Sequence, residues 1–316
     1  MLPSPPTTRL APSPTGPLHL GHARSFLLAW LHARSRSGRI LLRIEDLDRE
    51  RCKPHFTSLA LADLAWLGLD WDGEPHIQSA DTAPLESALA QLTSQGDAYP
   101  CLCSRAEIAA NVARSPSAPH AGDELYYPGT CGKLTLRLPA DVVPAWRFRC
   151  PDEEVSFNDE LAGPQRFHPS REVGDFAIAR RDGAIAYQLA VVVDDARAGV
   201  DEIVRGADLL PSTARQILLQ RALGLPHPRW WHLPLVVGDD GKRLAKRDGG
   251  FALAELRARG VDPRAVVAWA LASSGLDAPE RVTAAEACGG FELARIARAS
   301  ARFGAAELER LLAARA

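Results

Sequence analysis

The 316-residue sequence predicts an α/β fold built on a parallel sheet, with an insertion and a small helical domain at the end. Apolar runs of strand length alternate with helical patterns over residues 9–98, an order typical of parallel α/β sheets. Residues 99–170 are rich in prolines and turn-forming residues and contain four cysteines, of which Cys101, Cys103 and Cys131 lie in its first part. The tail is rich in alanine, leucine and arginine and predicts helices. We therefore divide the chain into 1–98 and 171–250 as the two halves of one domain, 99–170 as the insertion and 251–316 as the helical domain.

Composition excludes several function classes. The net charge is only −2, so the chain is not a globally basic nucleic-acid binder, although a local basic face is compatible with that total. Hydrophobic residues make up 46% of the chain, enough for a sizeable core. No apolar run is long enough to span a membrane, and "MLPSPPTT" has no signal-peptide character. We expect a cytoplasmic monomer without a membrane partner.

The first half predicts a strand at residues 9–11 and then a helix, on which Ala23, Phe26 and Trp30 follow helical spacing. The basic stretch "HARSRSG" ends that helix, with Gly38 as the left-handed residue beyond its end. "RILLRIED" is a short apolar run of strand length. Helical patterns resume in "HFTSLALADLAWLGLDW" and "DTAPLESALAQLTSQG", which completes the alternation.

The second half resumes at "FAIARR", followed by the turn "DG" and the apolar run "AIAYQLAVVVDD". An Asp-Gly pair between apolar runs predicts a hairpin, so we expect a second strand that ends at Asp194 and Asp195. "STARQILLQRALG" predicts a helix with a Ser or Thr cap and a terminal glycine. "HLPLVVGDDGKRLAKRDG" predicts a strand and then a glycine-rich basic loop.

The segment "PSPTGPLHLGH", residues 12–22, lies between the first strand and the first helix, where ligands bind in α/β sheets. Its prolines stiffen the loop, and Gly16 and Gly21 allow a ligand to approach the backbone. A helix start offers free N–H groups suited to phosphate, and His19 and His22 add side-chain donors. The segment therefore predicts a phosphate-bearing ligand such as ATP. A stiff structural loop, or a metal pair in the H-x-x-H spacing, are the alternatives.

These residues resemble the HIGH signature of the class I aminoacyl-tRNA synthetases, and Arg9 with "PSPTG" is similar to their glutamyl branch. "RIEDLDRER", "AYQLAVVVDDARAGVDEIVRGADLL" and the basic loop at 242–247 fall in the family's order. The resemblance is to a short paralogue of glutamyl-tRNA synthetase. It implies a Rossmann-type catalytic domain with a zinc-bearing insertion. It also implies that His19, Gly21 and His22 bind ATP and that the two histidines are catalytic.

A glutamate substrate carries two carboxylates and one ammonium group, so its pocket needs arginines and an acid. Arg9 and Arg205 are candidates for the carboxylates, Glu45 for the ammonium group and Tyr187 for closing the pocket. Taken singly, the arginines could be surface ion-pair members and Tyr187 a core residue. The resemblance implies a glutamate-binding set comprising Arg9, Leu10, Ala11, Pro12, Ser13, Glu45, Tyr187 and Arg205.

The basic loop "GKRLAKRDGG" occupies the place of the family's KMSKS motif. The resemblance implies that Lys246 is catalytic and holds the phosphates of ATP. Arg243 and Ala245 depart from the motif, which removes one hydroxyl and changes the shape of one cation. By itself, the segment is more typical of an exposed basic turn, and its place after the other motifs favours the KMSKS interpretation.

Cys101, Cys103 and Cys131 provide three thiols in the insertion, and zinc prefers four ligands. The resemblance implies Tyr127 as the fourth ligand of one structural zinc ion, from the Y-x-x-x-C spacing. His120 or water are rivals for that position. Three reduced thiols without metal are the remaining alternative.

The family implies two reactions. Glutamate attacks the α-phosphate of ATP, accompanied by Mg²⁺, to give glutamyl-adenylate, and a hydroxyl then takes the glutamyl group. For a short paralogue, the implied acceptor is the queuosine of tRNA(Asp), since enzymes that charge a 3′ end carry a further anticodon-binding region and this chain stops at Ala316. A minimal enzyme that charges tRNA(Glu), and a non-catalytic zinc-bearing tRNA-binding paralogue, are the alternatives.

Overall fold

The computed structural model describes residues 4–113, 126–134, 138, 141–242, 244 and 252–315. Within these residues the α-helices are α1 Leu20–Arg34, α2 Pro54–Trp66, α3 Ala83–Gln95, α4 Arg105–Ala113, α5 Pro169–Glu172, α6 Tyr187–Arg197, α7 Leu210–Leu223, α8 Leu253–Ala258, α9 Pro263–Ala272, α10 Ala284–Ala287 and α11 Ala305–Ala313. The strands are β1 Thr7–Leu10, β2 Arg39–Ile44, β3 His76–Ile77, β4 Ala98–Cys101, β5 Ala145–Phe148, β6 Val155–Asp159, β7 Gly163–Phe167, β8 Ala177–Ala179, β9 Glu202–Gly206, β10 Arg229–Leu233, β11 Val236–Val237 and β12 Ala301–Arg302.

Two sheets with parallel strands meet at the centre of the fold. The first has the order β1-β2-β3, and the second has the order β7-β6-β10-β9, in which only β7 is antiparallel to its neighbour. The start of β1 meets the start of β9, because Thr7 N–H donates to Asp201 Oδ1 at 2.7 Å and Asp201 N–H donates to Thr7 O at 3.1 Å. The carboxyl ends of β1, β2, β9 and β10 therefore lie along one edge, where α/β proteins bind ligands.

The predicted alternation over residues 9–98 is confirmed, since β1, α1, β2, α2 and α3 follow one another there. The basic stretch ends α1 as predicted, but Gly38 is not the left-handed residue beyond its end. The helix ends at Arg34, and the residue with positive φ is Ser37, at 54°. Gly38 is required for a different reason, because a Cβ atom there would lie 2.4 Å from Pro6 O.

The run "AIAYQLAVVVDD" is not a strand, which corrects the expected hairpin. The Asp-Gly turn forms, with Gly183 at φ 83° and an antiparallel bridge between Ala179 and Ile185. The chain then enters α6 at Tyr187. Every residue from 188 to 195 is buried, so the helix shows no polar face and its valine-rich sequence is typical of a strand as well. Asp194 and Asp195 therefore lie within a helix rather than at a strand end.

The hydrophobic core is continuous between the first predicted segment, 1–98, and the predicted helical domain, 251–316. One cluster of buried side chains combines α1, β1 and β2 with α8, α9 and the residues around Phe303 near the end of the chain. A second cluster lies under α3, α6 and α7. The predicted insertion contributes β6 and β7 to the sheet of β10, while β4 and β5 form a separate antiparallel sheet with β8.

No helix in the described parts of the chain has the length and hydrophobicity that a membrane span requires.

Candidate active site

A cleft of about 770 Å³ opens at the carboxyl edge of the central strands. It is the place predicted for the ligand, and most of the predicted site residues line it. Leu10 does not, because its side chain is fully buried in the core. Lys246, Arg243, Ala245 and His120 lie outside the described residues. The predicted residues that line the cleft are Arg9, Ala11, Pro12, Ser13, His19, Gly21, His22, Glu45, Tyr187 and Arg205.

Backbone hydrogen bonds hold the proline-rich loop over this edge. Pro12 O accepts from Glu45 N–H at 3.0 Å, and Pro14 O accepts from Lys53 N–H at 3.2 Å. Because three prolines restrict φ within the loop, two such anchors suffice to fix its path from β1 to α1. The loop and the residue after β2 therefore form one wall of the cleft.

His19 and His22 form a capping box at the start of α1. His19 Nδ1 accepts from Gly21 N–H at 3.1 Å, and His22 Nδ1 accepts from His19 N–H at 3.2 Å. When the rings are neutral, this leaves the ring proton on Nε2 of each histidine, so both can donate to a ligand. No acidic side chain stands in the first helical turn. The start of α1 is thus suited to phosphate, and the use of both Nδ1 atoms by the backbone disfavours a metal pair.

Buried charged side chains hold Arg9 and Glu45 in place. Asp195 on α6 accepts from Arg9 Nε at 3.1 Å and from Arg43 Nη1 at 2.5 Å. Arg43 Nη2 also donates to Glu45 Oε1 at 3.0 Å, and Ser13 Oγ donates to Glu45 Oε2 at 3.1 Å. Burial opposes ionisation of Asp195, but the charges of Arg43 and Arg9 hold its pKa below the ordinary value. The network fixes an arginine and a carboxylate side by side.

Arg205 lies near the end of β9 with a different set of partners. Its Nε donates to His232 Nε2 at 3.0 Å, and its Nη2 donates to Thr213 Oγ1 at 2.8 Å and to Leu209 O at 3.3 Å. The guanidinium carbon lies 4.9 Å from the ring centroid of Trp230. No described carboxylate contacts it, so its positive charge is available to a ligand.

The charged side chains that line the described part of the cleft carry a net charge of +1. Arg9, Arg51 and Arg205 are positive, while Glu45 and Asp208 are negative. A ligand with two carboxylates and one ammonium group has a net charge of −1 and would balance this set.

The apolar side chains that line the cleft include those of Phe26, Leu235, Val236 and Leu244, which we call the apolar wall. Leu244 N–H donates to Val236 O at 3.0 Å, which holds the base of the predicted basic loop beside this wall. An aromatic base could lie here with its phosphates toward the start of α1.

The three predicted thiol ligands come together outside the cleft. The Sγ atoms of Cys101, Cys103 and Cys131 all lie within 4.8 Å of one another. Tyr127, with 1% of its surface exposed, brings its Oη to 3.3 Å from Cys101 Sγ and 3.7 Å from Cys103 Sγ. Zinc–sulfur bonds of about 2.3 Å imply separations of roughly 3.8 Å between tetrahedral sulfurs, so this donor set fits zinc.

Without a cation, Cys103 and Tyr127 resist ionisation. Burial and the contact with Cys131 raise the pKa of Cys103 to about 11, and burial with the contact to Cys101 raises the pKa of Tyr127. A bound cation would supply the charge that thiolates need in this environment.

Sequence reasoning missed Arg43 and His232, and it placed Asp195 at the end of a strand rather than on α6. Arg43 stands in the middle of an apolar strand two residues before Glu45, which was a usable signal, because a buried arginine needs a partner. His232 in "WWHLPL" carries no pattern of its own.

Comparisons with known proteins agree with this geometry. The family model "tRNA synthetases class I (E and Q), catalytic domain" matches residues 7–309. A protein of Symbiobacterium thermophilum named glutamyl-Q tRNA(Asp) synthetase is 52% identical over 313 residues, which cover 94% of this chain and 95% of that protein. A protein of Deinococcus radiodurans with the same name is 48% identical over 288 residues, which cover 89% of this chain and 94% of that protein. The crystal structure of a glutamate tRNA ligase from Elizabethkingia meningosepticum in complex with its amino acid matches with a TM-score of 0.81 at 28% identity. That match covers 96% of this chain and 68% of the ligase.

Proposed function

Because this chain belongs to the class I tRNA synthetases for glutamate and glutamine, we propose that it activates L-glutamate with ATP and transfers it to the queuosine of tRNA(Asp). Curated relatives from several bacteria, 45–52% identical, carry the name of this activity. The observation within the molecule that supports it best is the convergence of Arg9, Glu45 and Arg205 on the cleft beside the start of α1.

The glutamate end of the cleft is formed by these three charged side chains. Arg205 binds one carboxylate of the substrate, Arg9 binds the other, and Glu45 accepts from the ammonium group. Ala11, Pro12, Ser13 and Tyr187 close the space around them. Glutamine carries one charge fewer, so it would leave one buried arginine without a counter-charge, and the site therefore favours glutamate.

Activation takes place between this pocket and the start of α1. The α-carboxylate of glutamate attacks the α-phosphorus of ATP, and the bond to the bridging oxygen of pyrophosphate breaks. His19 and His22 donate from Nε2 to the phosphates, and Gly21 keeps the backbone accessible to them. Lys246, which lies outside the described residues, neutralises charge that develops on the phosphates. Mg²⁺ accompanies ATP as its counter-ion.

Transfer completes the reaction. A hydroxyl of the cyclopentenediol of queuosine attacks the carbonyl carbon of the adenylate, and AMP leaves. We assign this step to the open face of the same cleft, which the anticodon loop of tRNA(Asp) approaches.

Zinc is the second part of the proposal. Cys101, Cys103, Cys131 and Tyr127 would hold one structural ion and thereby join β4 to the residues around 127–131. We expect about one equivalent of zinc in the purified protein by mass spectrometry, and less in Tyr127→Phe. Full zinc retention by Tyr127→Phe would favour water or His120 as the fourth ligand. No zinc in the wild-type protein would favour three reduced thiols.

The decisive test is the transfer of radiolabelled glutamate to tRNA(Asp) with and without queuosine. Label only on the queuosine-containing tRNA supports the proposal. Label on tRNA(Glu) instead would identify a minimal charging enzyme. Absence of both label and glutamate-dependent pyrophosphate exchange would favour a non-catalytic tRNA-binding paralogue.

A further inference from the structure

Behind Arg205 lies a second layer of polar side chains that does not line the cleft. His232 on β10 and Asp159 at the end of β6 are fully buried, with 0% of either side chain exposed. His232 Nδ1 lies 2.6 Å from Asp159 Oδ2, and its Nε2 lies 3.0 Å from Arg205 Nε. These contacts form a continuous chain from the core to the substrate pocket.

The hydrogen bonds define the protonation of His232. Asp159 can only accept, so Nδ1 carries the proton, and Nε2 is left as the acceptor for Arg205. Burial lowers the pKa of His232 to about 4, although the hydrogen bond to Asp159 acts to raise it. The ring is therefore neutral near pH 7.

The same contacts fix the guanidinium plane of Arg205. Its Nε is directed to His232 and its Nη2 to Thr213 and Leu209. Nη1 is buried and has no hydrogen-bond partner among the described residues. Because the group is planar, holding two nitrogens determines where the third points. Nη1 is thus the donor that remains for a substrate carboxylate.

We propose that His232 is a positioning residue, which orients Arg205 toward the substrate carboxylate without neutralising its charge. Arg9 provides the contrast within the same pocket, because Asp195 pairs with its charge at 3.1 Å. A neutral acceptor in place of a carboxylate leaves the full charge of Arg205 for the ligand. This inference rests on the proposed activation of glutamate.

Two substitutions of His232 separate its two hydrogen bonds. His232→Asn keeps an N–H donor near Nδ1 for Asp159 but removes the acceptor for Arg205. His232→Gln extends an amide oxygen to the position of Nε2 and restores that acceptor. In ATP–pyrophosphate exchange we expect the glutamate KM of His232→Asn to rise about tenfold or more. We expect His232→Gln to recover most of this loss, and the ATP KM to stay unchanged in both.

His32→Asn is the matched control. His32 is also buried and contacts a carboxylate, Glu202, at 2.6 Å, at the opposite end of β9. It should lower the melting temperature without changing the glutamate KM. If neither variant of His232 folds, Thr213→Val serves instead, because it removes a hydroxyl that contacts Arg205 and lies 3.2 Å from His232 Nε2. It should raise the glutamate KM several-fold.

The outcomes distinguish this inference from the proposed function. A normal glutamate KM in His232→Asn, an equal loss in both His232 variants, or an unchanged KM in Thr213→Val as the substitute, would overturn the positioning role alone. No glutamate-dependent exchange by the wild-type protein would overturn the proposed function, and the inference with it.

Discussion

At the scale of single residues, Arg205 makes the clearest prediction. Its Nη1 is buried and unsatisfied within the described structure, so replacement should affect the substrate far more than the fold. We expect Arg205→Met to raise the glutamate KM about 100-fold, because a carboxylate would lose a buried charged donor, and to leave the ATP KM nearly unchanged. Pyrophosphate exchange measures both constants. Arg229→Met, at a half-exposed arginine on the adjacent strand, is the control. A glutamate KM near the wild-type value in Arg205→Met would show that Arg205 does not bind the substrate.

Glu202 lies on the same strand as Arg205 but contributes to stability. It accepts from His32 Nε2 at 2.6 Å, from Trp231 Nε1 at 2.9 Å and from Arg36 Nη1 at 3.0 Å. Burial would raise the pKa of Glu202, but the hydrogen bond from His32 and the charges of His32 and Arg36 outweigh it and lower the pKa to about 2. A lowered pKa in the folded state means that the contribution is present above about pH 4.5 and is lost as the pH falls toward 2.

Glu202→Gln should therefore lower the free energy of unfolding by roughly 3 kcal/mol at pH 7, since one unit of pKa is worth about 1.4 kcal/mol. The difference from the wild-type protein should shrink as the pH approaches 3. Urea unfolding at pH 7 and pH 3 measures both values, and Glu280→Gln, at an exposed glutamate, should change neither. A constant difference across this pH range would show that the charge of Glu202 is not responsible.

At the scale of elements, the start of α1 depends on a glycine. A Cβ atom at Gly21 would lie 2.9 Å from His19 Cε1, so alanine must displace the ring that caps the helix. We expect Gly21→Ala to lower kcat/KM for ATP about tenfold or more, since small displacements of donors at a reacting phosphate are costly. Gly289→Ala is the control, because its nearest neighbour lies 3.9 Å away. Unchanged ATP kinetics in Gly21→Ala would mean that the position of His19 does not matter for activation.

The helices and strands also show which parts of the fold could be predicted from the sequence. Up to Gln95, the elements β1, α1, β2, α2 and α3 were predictable because each has the apolar spacing of its type, whereas the two-residue strand β3 is too short to leave such a pattern. α6 was not predictable, since a helix buried on every side lacks the polar face that distinguishes it from a strand. The geometry of the site depends on this helix, because it brings Asp195 into contact with Arg9 and Arg43.

The residues of the candidate site also differ in whether the sequence could predict them. Arg9, Glu45, Tyr187 and Arg205 were identified through the order of motifs, and all four line the cleft. His232 was missed because its role depends on a contact between neighbouring strands, and such contacts leave no local pattern in the sequence. The residues proposed to hold the substrate were thus predictable from the order of the motifs, whereas the residues proposed to orient them required the structure.

At the scale of the whole molecule, the central cluster of buried side chains makes the catalytic fold and the C-terminal helices interdependent. Phe303 is 1% exposed, packs edge-on against Trp269 with ring centroids 5.2 Å apart, and shares one core with Leu28 of α1. Arg24 of α1 adds a polar link, because its Nε donates to Ser274 Oγ at 2.9 Å. A core continuous across this junction implies that the two parts unfold together.

Phe303→Ala should therefore destabilise α1 as much as the tail. We expect a loss of about 3–5 kcal/mol for the cavity, whereas Phe291→Ala, at a phenylalanine only partly buried against the same cluster, should cost less. Hydrogen exchange followed by mass spectrometry reports the opening free energy of peptides from α1 and α9 separately. Equal losses in both peptides are expected, because the side chain belongs to their common core. Loss of protection in α9 with α1 unchanged would instead mean that the tail folds as an independent domain, and that the active-site helix does not rely on it.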